Sequence, residues 1–328
     1  MITAYSIENS MLAPHMLIAG AALPPETVWI DILHPTADED KYVETLTGIS
    51  IPTREDMKEI EDSSRFYTEN EAQYFTVPLL HSSEGIKPGI NPVTFILTGN
   101  LLITVRYVEP KAILFFQNRV TKPGNELVKG TCDGRSVMLG LLESVTDRVA
   151  DLLEGVAAHL DAESELLFAY NTNPMSTPRF RGAMRLLGNE GSFLSKVSEC
   201  LSGLSRLISY MHTDPTAAGK KSVVKSRLLL IERDIQSLRT HADFLSGKIT
   251  FLLDTVVGLV SVEQNAIIKF FSVASVGFMP PTLVASIYGM NFKVMPELDW
   301  PFGYPIAVIL MLLSAILPLA YFRYKKWL

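Results

Sequence analysis

Charged residues vanish from two stretches near the end of the chain, residues 270–287 and 304–322. Each is long enough to cross a hydrocarbon core of about 30 Å as a helix. Ahead of them the pattern is of two kinds. Residues 27–32 and 73–77 are rich in β-branched and aromatic side chains, and residues 93–97 and 101–107 flank Gly99-Asn100. These features predict strands, two of them joined as a hairpin. Thr36 with Glu39 three residues later has the form of a capping box, and Pro52-Thr53-Arg54-Glu55-Asp56 predicts another helix start. From Ser136 onward the strand signals stop. Residues 137–170 read as one long helix, broken at Asn171-Thr172-Asn173-Pro174, and residues 178–211 as a second, ending near Asp214-Pro215. A third begins near Thr216 and meets no firm breaker before Pro280-Pro281. Carried through to Tyr288 it holds about 70 residues and extends roughly 100 Å.

The pattern therefore predicts an α/β domain (1–131), a helical hairpin (132–215), a stalk helix (216–269), a first span (270–288), a short loop (289–303), a second span (304–322) and a basic tail (323–328). The stalk and first span share a stripe. Steps of three and four residues pick out Ser261, Asn265, Ile268, Ser272, Ser275, Met279, Thr282 and Ser286, and the stripe extends back to Gly258 and Asp254. A repeat of 3.5 residues keeps one seam facing neighbouring helices or an axis. In a dry bundle that seam would be Leu, Ile and Val. Here it is mainly Ser, Thr and Asn, which predicts a water-filled path. One helix cannot enclose such a path, so an oligomer is implied.

Charge sharpens this picture. Residues 270–328 hold four basic and two acidic residues, so the preceding 269 carry 25 basic against 33 acidic. That balance disfavours nucleic acid and suits the attraction of metal cations. Arg323, Lys325 and Lys326 follow the second span, and Lys269 precedes the first. The positive-inside rule puts both termini in the cytoplasm and the loop outside, with Trp300 and Tyr304 at the outer boundary and Tyr321, Tyr324 and Trp327 at the inner one. Polar residues among positions 4–9 break any hydrophobic run at the start, so no signal peptide is expected. Cys132 and Cys200 are isolated thiols suited to a reducing compartment. The six histidines show no metal-ligand spacing, and no phosphate loop or nucleophile elbow occurs. An enzyme is not expected, and neither is a cofactor.

Tyr288-Gly289-Met290-Asn291-Phe292, at the outer end of the first span, resembles the signature of the CorA family of magnesium transporters. The flanks resemble it too: residues 262–265 and 267–269, Met279-Pro280-Pro281-Thr282 with residues 283–286, Met295-Pro296-Glu297-Leu298, residues 302–305 and Lys326-Trp327-Leu328. The likeness is close over the last 75 residues or so and looser before them, where residues 30–32, 60–61 and 63–66 fit. It implies a homopentamer in the inner membrane with a cytoplasmic α/β funnel and two spans per subunit, passing Mg²⁺ and also Co²⁺ or Ni²⁺. Gly289, Met290 and Asn291 would form the selective entrance, with Glu297 and Asp299 at the mouth. A ring of Asn291 amides would accept hydrogen bonds from the waters that Mg²⁺ holds so firmly. Asp254, Asn265, Met279 and Thr282 would line the pore below. Met279 and Ile268 offer apolar rings that gate by dewetting, with Phe271 a competing gate residue. The family also implies regulatory Mg²⁺ between subunits, with Glu55, Asp56, Glu59, Glu61, Asp62 and Asp234 as candidate ligands. The zinc-transporting branch of the superfamily and a membrane-anchored metal sensor are the alternatives. Met290 favours magnesium, because the zinc branch often carries Ile there.

Overall fold

Alternating apolar positions at the start of the chain form a strand, β1 (Ile2–Glu8), which turns back through Asn9 and Ser10, both at positive φ, into β2 (Met11–Leu17). The polar residues among positions 4–9 belong to this strand, whose partly solvent-facing side breaks any continuous apolar run. The computed structural model describes residues 1–18, 20–81, 88–123, 132–169, 177–213, 221–291, 293, 295–296 and 299–325. After β2 come β3 (Thr27–Leu33), α1 (Ala37–Thr47), a 3₁₀ turn (Asp56–Lys58), α2 (Asp62–Arg65), β4 (Phe66–Glu69), β5 (Ala72–His81), β6 (Gly89–Thr98), β7 (Leu101–Arg106) and α3 (Lys111–Val120). Then follow α4 (Gly134–Phe168), α5 (Thr177–Thr213), α6 (Lys221–Tyr288) and α7 (Gly303–Tyr324). The expected helix breaks at residues 171–174 and 214–216 lie outside the described residues.

The seven strands form one sheet in the order β2-β1-β3-β7-β6-β5-β4, antiparallel except where β3 and β7 run parallel. The β6–β7 hairpin turns at Gly99, whose φ of +52° suits glycine. Central β3 sends alternate residues to opposite faces. Ile30 and Ile32 join Val43 of α1, Ile49, Ile51 and Met57 in one core. On the other face Trp29 meets Phe116 of α3 edge-on, and Asp31 accepts a hydrogen bond from Gln117 of α3. Asp31 also receives Thr104 and both Nε and Nη2 of Arg106, at 2.7–3.3 Å, while Arg106 Nη1 donates to the Val108 carbonyl. The two ionic side chains are 3% and 2% exposed. Each guanidinium nitrogen finds an acceptor, which is the condition under which such a pair is tolerated in a core.

The capping box at the start of α1 forms as its sequence requires: Thr36 Oγ1 accepts from Glu39 N, and a Glu39 carboxylate oxygen accepts from Thr36 N. The helix expected after Pro52 does not extend. Thr53 N and Oγ1 both donate to Asp56, which closes a single turn, and only Met57 of that stretch is buried. Without a periodic apolar face there is nothing to carry a helix further.

Helices α4 and α6 run parallel, tied by Arg227 to Glu143 at 2.8–2.9 Å and by Lys248 to Asp161. Helix α5 lies close on β5. A Cβ at Gly203 would meet Pro78 Cδ at 2.7 Å, so only glycine permits that approach. Along α6, Leu228, Ile231, Ile235, Ala242, Leu245, Ile249 and Leu252 are buried, a near-heptad seam. Two compact units result, Met1–Leu253 and Asp254–Leu328. The first part of α6 thus belongs with the sheet, although the pattern of the sequence set the whole stalk apart.

Candidate functional site

α7 and the part of α6 in the second unit form two helices long and apolar enough to cross a membrane. They pack through a narrow seam: Val273 and Ala307 are buried, and a Cβ at Gly277 would meet Leu319 at 3.6–3.9 Å. The seam residues Val273 and Gly277 stand roughly 100–140° around α6 from Ser272, taking 100° per residue. The polar stripe therefore falls elsewhere on the helix. Asp254, Ser261, Asn265, Ile268, Ser272, Ser275, Met279, Thr282 and Ser286 are all exposed in the single chain. Ile268 is 61% and Met279 70% exposed, and Phe271 is 63%. Two prolines interrupt the backbone bonding at 280 and 281, yet the helix runs on to Tyr288. A proline in a spanning helix frees the carbonyl four residues earlier, which must then find water or a polar neighbour.

Three stripe hydroxyls share one geometry. Ser261 Oγ donates to the Val257 carbonyl at 3.0 Å, Ser272 Oγ to Ile268 at 2.8 Å and Thr282 Oγ1 to Phe278 at 2.7 Å. Each hydroxyl hydrogen is thereby held by the helix, and each oxygen keeps its lone pairs for another donor.

Helix α6 ends where Gly289 N donates to Ala285 O at 2.9 Å and Met290 N to Ile287 O at 3.2 Å. Gly289 leaves the helix without a positive φ, and an added Cβ there would lie a tight 3.1 Å from the Ala285 carbonyl oxygen. Met290 and Asn291 follow it exposed, as are Asp299 and Trp300 before α7. Phe292 and Glu297 lie outside the described residues, as does the closing Lys326-Trp327-Leu328.

The expected regulatory acids are not brought together. Glu55, Asp56, Glu59 and Glu61 are exposed around the 3₁₀ turn, Asp234 is exposed on α6, and the side chain of Asp62 lies outside the described residues. Among the described residues no group of three His, Cys, Asp or Glu side chains could hold a metal ion. Asp147 on α4, outside that set, has its carboxyl raised above its ordinary range. Burial is the chief cause; Glu143, Asp151 and Asp234 add to it, and Arg119 opposes it. The i, i+4, i+8 spacing of Glu143, Asp147 and Asp151 was the available signal.

The chain matches the family described as CorA-like Mg²⁺ transporter protein over residues 25–326. It is 32% identical over 328 residues to the magnesium transport protein CorA of Pectobacterium atrosepticum, and equally to that of Escherichia coli K12, covering all of each chain. Among solved structures, the complete CorA magnesium transporter of Methanocaldococcus jannaschii superposes with a TM-score of 0.78 at 16% identity, over 100% of this chain and 99% of that one, a likeness of fold. The mixed sheet, the long helix and the two apolar C-terminal helices are those of that architecture. Since the family match runs from before β3 through both apolar helices and the two CorA relatives cover the whole chain, the chain belongs to the CorA-like Mg²⁺ transporter family.

Proposed function

We propose that the chain assembles as a homopentamer in the inner membrane, both termini cytoplasmic, and admits hydrated Mg²⁺ along the polar stripe of α6. The observation that carries this reading is the stripe itself. It is exposed from Asp254 to Ser286, away from the seam that packs on α7, in a chain of this family. A hydrated cation points its water hydrogens outward, so its pathway must offer acceptors. Ser261, Ser272 and Thr282, their hydroxyl hydrogens tied to the helix, offer oxygens, and Asn265 and Asn291 add amide oxygens. Asn291, exposed just beyond the end of α6, supplies the entrance ring, with Glu297 and Asp299 drawing cations to it. An amide ring holds the ion less tightly than a carboxylate ring, which favours release and therefore conduction. Met279, and Ile268 or Phe271 nearer the cytoplasm, interrupt the acceptors with apolar rings that close by dewetting. The membrane potential supplies about 4.6 kcal/mol per 100 mV to an entering divalent ion, so no ATP site is required. Control by cytoplasmic Mg²⁺, if it uses the acids named above, needs residues from two subunits.

The test is Mg²⁺ uptake into proteoliposomes by wild type and Asn291→Ala, with Co²⁺, Ni²⁺ and Zn²⁺ run in parallel. Uptake should be abolished in the variant while the assembled protein remains in the membrane. Near-normal uptake by a well-assembled Asn291→Ala overturns the entrance assignment, and a monomer or dimer after cross-linking in the membrane overturns the pore.

A further inference from the structure

Helix α5 packs on β5 at Gly203, and beside that contact the first unit holds a cleft of about 390 Å³. Pro78 of β5, Phe66 of β4 and Ile60, which is 84% exposed, give it an apolar wall. Arg65, the last residue of α2, contributes a guanidinium. On the α5 side stand Glu199, Ser202 and Arg206, which with Gly203 are spaced i, i+3, i+4 and i+7 and so share one face of the helix. All of these residues belong to the first unit, so none is part of the polar stripe, which begins at Asp254. Arg65 is half-buried and fixed at one nitrogen: Nε donates to the Glu59 carbonyl at 2.6 Å. Among the described residues neither Nη1 nor Nη2 has an acceptor, and the Ser202 hydroxyl and the Glu199 carboxylate have no hydrogen-bond or ion-pair partner.

A guanidinium anchored through Nε presents its two Nη groups as paired donors, the arrangement that a phosphate or a carboxylate accepts. A carboxylate has two oxygens, which that fork alone satisfies. A phosphate group has three acceptor oxygens, and the Ser202 hydroxyl stands ready for the third. The cleft has room for about a dozen waters, far more than an inorganic anion fills. Its remaining surface is apolar, aromatic at Phe66, with Glu199 as an acceptor that lacks a donor. We propose that this cleft binds a nucleoside phosphate. The phosphate takes the Nη groups of Arg65 and the Ser202 hydroxyl, and Arg206 adds positive charge at the rim. The base lies against Phe66, Pro78 and Ile60, and Glu199 accepts from a sugar hydroxyl.

The full-length assembled protein in mild detergent is titrated calorimetrically with adenosine monophosphate, without divalent cations, and separately with adenosine, inorganic phosphate and benzoate. Wild type should bind adenosine monophosphate at one site per chain. Each of the other three should bind at least about tenfold more weakly, the change that one charge-assisted hydrogen bond makes. Arg65→Gln should weaken binding of adenosine monophosphate by at least about tenfold. Arg65→Lys, which keeps the charge and loses the fork, should recover part of that loss. Ile60→Asp sets a carboxylate at the mouth and should cost about fivefold in affinity. Because the Ile60 side chain stands in solvent, the melting midpoint of that variant should remain that of wild type. Should Arg65→Gln fail to assemble, Ile60→Asp decides alone. Absence of binding by wild type, the outcome expected if a neighbouring subunit fills the cleft, overturns the proposal. So does equal binding of adenosine or benzoate, or affinity unaltered by either substitution.

Discussion

Removing one partner of the buried Asp31–Arg106 pair should unsettle the first unit far more than removing both. Asp31→Asn keeps the shape of the side chain but leaves a guanidinium that is 2% exposed without a counter-charge. Arg106→Met leaves a carboxylate that is 3% exposed holding only Thr104 and Gln117. Either single change should cost about 3–5 kcal/mol, since what remains is an uncompensated charge in a core. For a unit of this size each kcal/mol moves the melting midpoint by about 2–4 °C, so the single variants should melt at least about 6 °C below wild type. The double change Asp31→Leu with Arg106→Met removes both charges and should recover more than half of that loss. The assay is the temperature at which half of the detergent-purified protein remains monodisperse on size exclusion. The reasoning fails if the double variant melts as low as the sum of the two singles, because the pair would then be contributing shape alone.

Two further outcomes are expected. Met279→Ala should raise Mg²⁺ influx into vesicles preloaded with millimolar Mg²⁺, where wild type is closed, and equal suppression in both would move the gate to Ile268 or Phe271. Asp147→Asn should raise the melting midpoint at neutral pH. The raised native carboxyl means that this group's contribution to stability is lost as pH rises through its native value, so the gain should vanish in acid below the ordinary carboxylate range; an unchanged or lower midpoint at neutral pH would contradict it.

The two membrane helices and the capping box of α1 were legible because their signals are local. A run without charge has one solvent, and Thr36 and Glu39 satisfy each other across three residues. Strands β1 and β2 were not legible. Their core-facing residues Ile2, Ala4 and Leu12 are interspersed with Ser6 and His15, which pair with each other and with Glu8 only once the hairpin has formed. The Asp31–Arg106 network was hidden for a related reason: its members lie 73–86 positions from Asp31 and meet only once β3 pairs parallel with β7 and α3 packs on the sheet.

The stripe on α6 occupies a middle position. Its period was visible along the sequence, but its meaning depends on which side of the helix is already taken. Gly277 and Val273 settle that within one chain, because they commit one flank of α6 to α7. The hydroxyl hydrogens of Ser261, Ser272 and Thr282 are likewise committed, to the backbone one turn earlier. Beside exposed apolar side chains such as Phe270, Phe278 and Leu283, the stripe presents hydroxyl and amide oxygens, and polar groups left without a donor are costly in lipid. In the proposed pore those oxygens would meet water oriented by a cation. Thr282→Ala should therefore alter which ions pass more than whether the closed state leaks, since it removes an acceptor and leaves the apolar ring of Met279 in place.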